Sequence, residues 1–226
     1  SEAFAYALPD DPPELVKNFV QYHKENWGVS RYLKFEHYFK NISKQAEYSE
    51  AMNAALNRYA FYSRNGLLQC REIPGIRSLL KFLNAQQIPC FVVSGGDQTE
   101  VRSVFQERNL AKYFQEIMGS PLSKKENLSI LKSKNFLKKP SVYFGDARSD
   151  MVAAEEFGLN FVFVAGVSEW KEGRSTCRQE NLSVIEDFKG FIDLVIKTKD
   201  EKYHVIDWKT CSWGWDSRKK SDKMIS

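Results

Sequence analysis

Two aspartates four positions apart, Asp146 and Asp150, form the part of this sequence best suited to chemistry. They follow an apolar run at residues 141–144, and a helical pattern of apolar residues begins at Met151. This order predicts a buried strand, a tight turn and a helix whose first turn carries both carboxylates on one face. Paired carboxylates at the carboxyl end of a strand suit Mg²⁺, which prefers oxygen ligands and keeps waters that a phosphate can share. An aspartate-rich helix cap is the alternative interpretation.

A hydroxyl and two glycines, Ser94, Gly95 and Gly96, follow a second apolar run at residues 88–93. Glycines allow close approach to the backbone, and exposed N–H groups can bind an anion, so this turn is suited to a phosphate. Its alternative is an ordinary turn. Lys124 and Lys125 stand at the start of another helical pattern. They could neutralise phosphate charge, or they could form a solvated charge pair.

The elements that would position these residues alternate between strand and helix. The apolar patterns predict, in order, strand 88–93, helix 97–109, a short strand near Ile117, helix 124–134, strand 141–144, helix 150–157 and strand 161–164. Alternation at these lengths predicts an α/β fold with a Rossmann-like parallel sheet and helices on both faces.

The ordered set of strand-Ser, then Lys, then strand-Gly-Asp-x-x-x-Asp resembles motifs two, three and four of the haloacid dehalogenase (HAD) hydrolase superfamily, with phosphoglycolate phosphatase-like members as the nearest type. The resemblance covers about residues 1–188. It implies Mg²⁺-dependent hydrolysis of a small phosphorylated metabolite. In that reaction the protein mainly stabilises the charge of the phosphoryl group.

The resemblance also implies a role for each motif residue. Ser94, with Gly95 and Gly96, would bind the transferring phosphoryl group. Lys124 would neutralise the charge of phosphate and nucleophile, with Lys125 as the alternative. The metal ligands would be Asp146 and Asp150, the second of which could instead orient the waters of the ion.

The family's first motif, an Asp-x-Asp-Gly segment whose first aspartate is the nucleophile, has no counterpart in this sequence. Asp10 and Asp11 follow no apolar strand and precede prolines, so they are predicted to cap a helix. We therefore expect an amino-terminally truncated piece of a phosphatase that is inactive as given. A chain that lost its nucleophile naturally and serves as a non-catalytic phosphate-binding module is the other interpretation.

Three regions are predicted along the chain: a helical cap at residues 1–72, a HAD-like core at 73–188 that lacks its first strand, and a segment at 189–226. In the resemblance, the helical block is the cap that closes over the substrate. His23, Arg31 and His37 lie within it. They are expected to form an exposed face or to have local partners rather than to reach a substrate.

The last segment carries a second candidate cluster. Residues 191–197 and 203–210 alternate in polarity and predict a β-hairpin, in which Asp207 and Lys209 share a face. The stretch resembles the metal-binding hairpin of PD-(D/E)xK nucleases of the RecB type. This implies Asp193 and Asp207 as Mg²⁺ ligands, Lys209 as a catalytic residue and DNA as a partner. An amphipathic hairpin with ordinary surface charges is the alternative.

Composition places the chain among ordinary globular proteins. Of its 226 residues 42% are hydrophobic and 27% charged, and the net charge is +4. The longest apolar runs are too short to span a bilayer, so no membrane partner is expected. The four cysteines form no Cys-x-x-Cys pair, which argues against a zinc site. A cytoplasmic location is the expectation.

Overall fold

The computed structural model describes residues 2–26, 29–189 and the strand at 204–206. Its first part is helical: α1 (Glu2–Tyr6), α2 (Pro13–Glu25), α3 (Arg31–His37), which continues as a π-helical turn (Tyr38–Ile42), and α4 (Ser49–Gln69). The second part alternates: α5 (Ile76–Ala85), β1 (Cys90–Asp97), α6 (Gln98–Glu107), β2 (Glu116–Ser120), α7 (Lys124–Ser133), β3 (Ser141–Gly145), α8 (Arg148–Glu156), β4 (Asn160–Val164), α9 (Gly173–Gln179), β5 (Ser183–Ile185) and β6 (His204–Ile206).

The six strands form one sheet in the order β2-β1-β6-β3-β4-β5, and all the pairings are parallel. Parallel strands end at the same edge of a sheet, so the loops that follow β1, β2 and β3 meet there. The α/β fold with a Rossmann-like parallel sheet is confirmed.

Helices cover both faces because successive strand residues point to opposite sides. Val92 packs into a core with residues of α5 and α6, whereas Phe91 and Val93 pack with residues of α7, α8 and α9. A strand buried on both faces has to be continuously apolar. This is why the runs at 88–93 and 141–144 were recognisable in the sequence.

The amino-terminal helices have a core of their own. Phe4, Phe19, Phe35 and Tyr38 are buried together, and their rings contact one another in edge-on and tilted geometries. Aromatic rings bury large areas, so a few of them stabilise a small helical bundle. The predicted cap region therefore packs around a separate hydrophobic centre.

Of the predicted carboxy-terminal hairpin, the structure describes three residues. The strand His204–Ile206 pairs on one side with β1, where Phe91 is opposite Ile206, and on the other with β3, where Tyr143 is opposite Ile206. Both edges of this strand are thus used in the parallel sheet, and none is left at 204–206 for a hairpin partner. The partner strand predicted at 191–197 lies outside the described residues.

Candidate active site

The turn after the regular part of β1 has the geometry of an anion cradle. The Ser94 hydroxyl oxygen accepts a hydrogen bond from the Gly96 N–H at 3.0 Å, which closes the turn. A Cβ built on Gly95 would meet no atom within 4 Å, so this glycine faces open space. Asp97 then caps α6 by accepting from the Glu100 N–H at 3.0 Å. The turn thus joins the strand directly to a helix amino terminus, a favourable place for an anion.

Lys124 and Asp150 form a buried ion pair. Their side chains are 10% and 0% exposed, and the Lys124 ammonium donates to Asp150 Oδ1. Asp150 Oδ2 accepts from the Ala147 N–H at 3.0 Å, and the Tyr143 hydroxyl lies 3.4 Å from Oδ1. The carboxylate is therefore held on three sides. An ion pair with such support keeps a defined geometry.

The two helices that carry this pair begin at fixed points. Ser123 and Glu126 form a capping box at the start of α7: the Ser123 hydroxyl accepts from the Glu126 N–H, and the Glu126 carboxylate accepts from the Ser123 N–H. This cap places Lys124 at the first helical position. By contrast, Lys125 pairs with Glu156 on the surface, where both side chains are about half exposed. Of the two lysines, Lys124 is therefore the one that contacts the turn carrying Asp146 and Asp150.

Asp146 follows β3 and lies outside the helix. Helix α8 begins at Arg148 with Ala147 as its cap, so the expectation that both aspartates occupy the helix's first turn is wrong. Only Asp150 does. The Asp150 side chain bonds back to the Ala147 N–H and so fixes the helix start two residues after Asp146. Asp146 is thereby left at the carboxyl edge of the sheet.

A residue of the loop after β4 contacts the backbone of Asp146. The Ser168 hydroxyl donates to the Asp146 carbonyl oxygen at 2.5 Å and accepts from the Trp170 N–H at 3.0 Å. Tyr143 was not assigned to the site from the sequence, because its contact with Asp150 depends on how β3 packs against α8.

The donor set at this edge fits Mg²⁺. Mg²⁺ is commonly bound by one or two carboxylates together with waters and substrate phosphates, and Asp146 can supply such a carboxylate. Asp150 is already engaged by Lys124 and the Ala147 N–H, which suits it to orient waters around the ion. Within residues 2–26 and 29–189, no three His, Cys, Asp or Glu side chains form a metal cluster by themselves.

Not all candidate residues come into direct contact. Ser94 and Asp146 lie at the same sheet edge, but β6 separates their strands, which corresponds to roughly 10 Å across the sheet. That spacing leaves room for a phosphoryl group and an ion between them. Asp193, Asp207 and Lys209 lie outside the described residues.

Known proteins resemble this chain in both sequence and fold. A profile of the haloacid dehalogenase-like hydrolase family matches residues 14–164. The phosphoglycolate phosphatase of Pseudomonas fluorescens strain Pf0-1 is 26% identical over 135 residues, which are 57% of this chain and 48% of the relative. The enzyme of the same name from strain Pf-5 is 24% identical over 125 residues, 53% of this chain and 45% of the relative. The chain thus spans about half the length of the curated relatives it matches.

Solved structures share the architecture at low sequence identity. A predicted phosphoglycolate phosphatase from Haemophilus somnus 129PT superposes with a TM-score of 0.65 at 18% identity, covering 86% of this chain and 89% of that one. A predicted phosphatase from Clostridium acetobutylicum gives 0.62 at 19% identity, covering 87% and 89%. At such identities the likeness concerns the fold.

The protein has an α/β fold with a Rossmann-like parallel sheet, and the buried Lys124–Asp150 pair lies at the carboxyl edge of that sheet. The chain belongs to the haloacid dehalogenase-like hydrolase family, whose profile covers about two thirds of it. No helix in the part of the chain that the structure describes is both long and apolar enough to cross a membrane.

Proposed function

We propose that this chain binds the phosphoryl group of a small phosphorylated metabolite together with Mg²⁺, as the phosphate-binding part of a phosphomonoester hydrolase. The observation that carries the proposal is the buried Lys124–Asp150 pair at the sheet edge that also holds Ser94 and Asp146. Family membership supports the reaction class. The two Pseudomonas phosphoglycolate phosphatases support a small phosphomonoester as the substrate class.

Each residue has a separate task in this proposal. The Ser94 hydroxyl and the Gly95 amide bind phosphoryl oxygens, and the Gly96 N–H holds the Ser94 hydroxyl oxygen in place. Lys124 offsets the negative charge of the phosphoryl group. Asp146 would hold Mg²⁺, which supplies electrostatic stabilisation to the phosphoryl group when bound. Asp150 keeps the Lys124 ammonium in place through their ion pair.

The proposal includes the absence of rapid turnover by residues 1–226. A carboxylate nucleophile in the family's Asp-x-Asp-Gly form is not in the sequence. Binding and charge stabilisation do not by themselves form the aspartyl-phosphate on which such hydrolysis depends. We expect phosphate to bind and phosphomonoesters to be hydrolysed at the background rate.

Calorimetric titration of inorganic phosphate into the protein, with and without Mg²⁺, tests this function. We expect binding that needs Mg²⁺ and weakens at least about tenfold in Ser94→Ala and Lys124→Met, since each loses a hydrogen bond to a charged group. Lys125→Met is the matched control and should bind as the wild type does, because Lys125 contacts Glu156 at the surface.

Two results would contradict the proposal. If neither Mg²⁺ nor Ser94→Ala changes the phosphate affinity, phosphate does not bind at the proposed site. Rapid Mg²⁺-dependent hydrolysis of p-nitrophenyl phosphate or phosphoglycolate by the wild-type chain would leave the site intact but refute the lack of turnover.

A further inference from the structure

Two adjacent cap residues hold the first turn of core helix α6. The Arg31 guanidinium donates through both terminal nitrogens to the two carboxylate oxygens of Glu100, at 2.7 and 2.6 Å. The next residue, Tyr32, donates its hydroxyl to Asp97 Oδ2 at 2.8 Å. Both acceptors belong to the start of α6, where Asp97 is the cap and Glu100 the third helical residue.

The Arg31–Glu100 pair is built for a fixed geometry. The two side chains are 7% and 18% exposed, and the guanidinium carbon lies 4.9 Å from the centre of the Tyr59 ring. The guanidinium is planar, donates to both carboxylate oxygens of Glu100 and lies over the Tyr59 ring, so it has little freedom to rotate. This contact was not expected, because Arg31 was assigned an exposed or local role, whereas its partner lies in the core.

The first turn of α6 is continuous with the phosphate-binding turn. Asp97 follows Gly96 directly, and Gly96 donates to the Ser94 hydroxyl. A Cβ on Gly96 would lie 3.2 Å from Val101 Cγ2, so the turn packs closely against the helix. A shift of the start of α6 would therefore move the groups that bind phosphate.

We propose that Arg31 and Tyr32 are positioning residues, through which the cap fixes the phosphate-binding turn at Ser94–Gly96. The cap thus contributes to phosphate affinity without touching the phosphate. This inference rests on the proposed function for its ligand, although the contacts that carry it do not depend on that ligand.

The chain supplies a matched control pair. Arg64 on α4 also bridges from the cap to α6, where it pairs with Glu107 at the far end of that helix. Its side chain and that of Glu107 are 39% and 45% exposed. An exposed pair contributes little to stability and lies distant from the turn, so changing it should not move Ser94.

The test compares Arg31→Lys and Tyr32→Phe with Arg64→Lys in the full chain. Arg31→Lys keeps the charge but loses the bidentate fork. Hydrogen–deuterium exchange of the peptide that contains residues 94–97 is the first readout, and the dissociation constant of inorganic phosphate with Mg²⁺ is the second. We expect faster exchange at 94–97 and about tenfold weaker phosphate binding in the first two variants. Neither change is expected in Arg64→Lys.

Two outcomes overturn the inference. Exchange at 94–97 that is equal in all variants shows that the cap does not hold the turn. Faster exchange with unchanged phosphate affinity shows that the two are not coupled. Tyr32→Phe removes one oxygen from a side chain that is 36% exposed, so this variant folds even where Arg31→Lys does not. A wild-type chain that binds no phosphate refutes the proposed function, and the exchange comparison then decides the positioning role by itself.

Discussion

Neighbouring residues of one type have different environments at this site. Lys124 is buried against a fully buried carboxylate, and Lys125, the next residue, is about half exposed on the helix surface. The sequence pattern could place both at a helix start, but it could not choose between them. Adjacent residues of a helix point in different directions, so the choice depends on which face of α7 packs against Asp150.

Gly145 ends β3 at a tightly packed turn, the one that carries Asp146 and Asp150. A Cβ at this position would lie 2.3 Å from Asp150 Cβ and 2.7 Å from its Cγ, closer than any real contact. We predict that Gly145→Ala destabilises the fold by about 1–3 kcal/mol, as overpacking of a close-packed region does. The displaced Asp150 carboxylate should also weaken phosphate binding.

Thermal unfolding of Gly145→Ala and Gly95→Ala side by side measures this effect. Gly95 is the control because its added Cβ meets open space, so that variant should unfold near the wild-type temperature. Equal unfolding temperatures for the two variants would mean that the turn around Asp150 can relax at no cost.

Helices α2 and α3 bury an ionisable contact between them. The Lys34 ammonium lies 2.9 Å from His23 Nδ1, and both residues are buried. Burial and the nearby Lys34 charge lower the pKa of His23 from 6.5 to about 3. Burial also lowers the pKa of Lys34 to about 8. The His23 ring is therefore neutral in the folded cap at every ordinary pH.

This contact predicts how the stability of the cap depends on pH. Unfolded His23 takes up a proton below about pH 6.5, whereas folded His23 does so only near pH 3, so protonation favours the unfolded state as pH falls between these values. The loss is at most about 1.4 kcal/mol per pH unit. Protonation of His23 has little effect on stability above about pH 6.5.

Urea unfolding at pH 7 and pH 5 checks this prediction in the wild type and in His23→Gln. Glutamine does not titrate and can still accept from Lys34. We expect the wild type to lose about 1–2 kcal/mol more than the variant over this range. Parallel losses in the two proteins would show that His23 is not the responsible group.

The sequence predicted the elements of the core better than their ends. Strands β1, β3 and β4 were found because a strand buried on both faces is a continuous apolar run. The start of α8 was misplaced because the bond from Asp150 to the Ala147 N–H, rather than any residue preference, sets it. Ser94, Lys124 and Asp150 could be chosen as candidates because they follow strands or begin helices. The contacts of Arg31 and Tyr32 could not be foreseen, since their partners are distant in sequence.

At the scale of the whole molecule, β6 joins two halves of the sheet. In the described sheet β1 pairs with β2 and β6, and β3 pairs with β4 and β6. One half of the sheet, β2 and β1, carries Ser94, and the other half, β3, β4 and β5, leads to Asp146. In the described sheet these halves are joined through the three residues His204–Ile206. Nothing in the local sequence indicated this role, because strand pairing is decided by which edges remain unpaired elsewhere.

Val205 tests whether this connection matters. It is opposite Cys90 on one side and Val142 on the other, and proline is not tolerated in the middle of a sheet. We predict that Val205→Pro lowers the free energy of unfolding by about 3 kcal/mol or more. Val184→Pro in β5, the edge strand of the described sheet, should cost less because edge strands accept proline more readily. Urea unfolding that ranks the two variants equally would contradict a central position for β6.

The place of β6 also bears on how the chain is made. Synthesis proceeds from the amino terminus, so strands β1 to β5 are made before His204 is added. For the seconds that this takes, β1 and β3 each present an unpaired backbone edge to the cell. Unpaired edges are templates for the strands of other chains. Because β6 is made last of the described strands, we expect the yield of correctly folded protein to depend on translation speed and on chaperones.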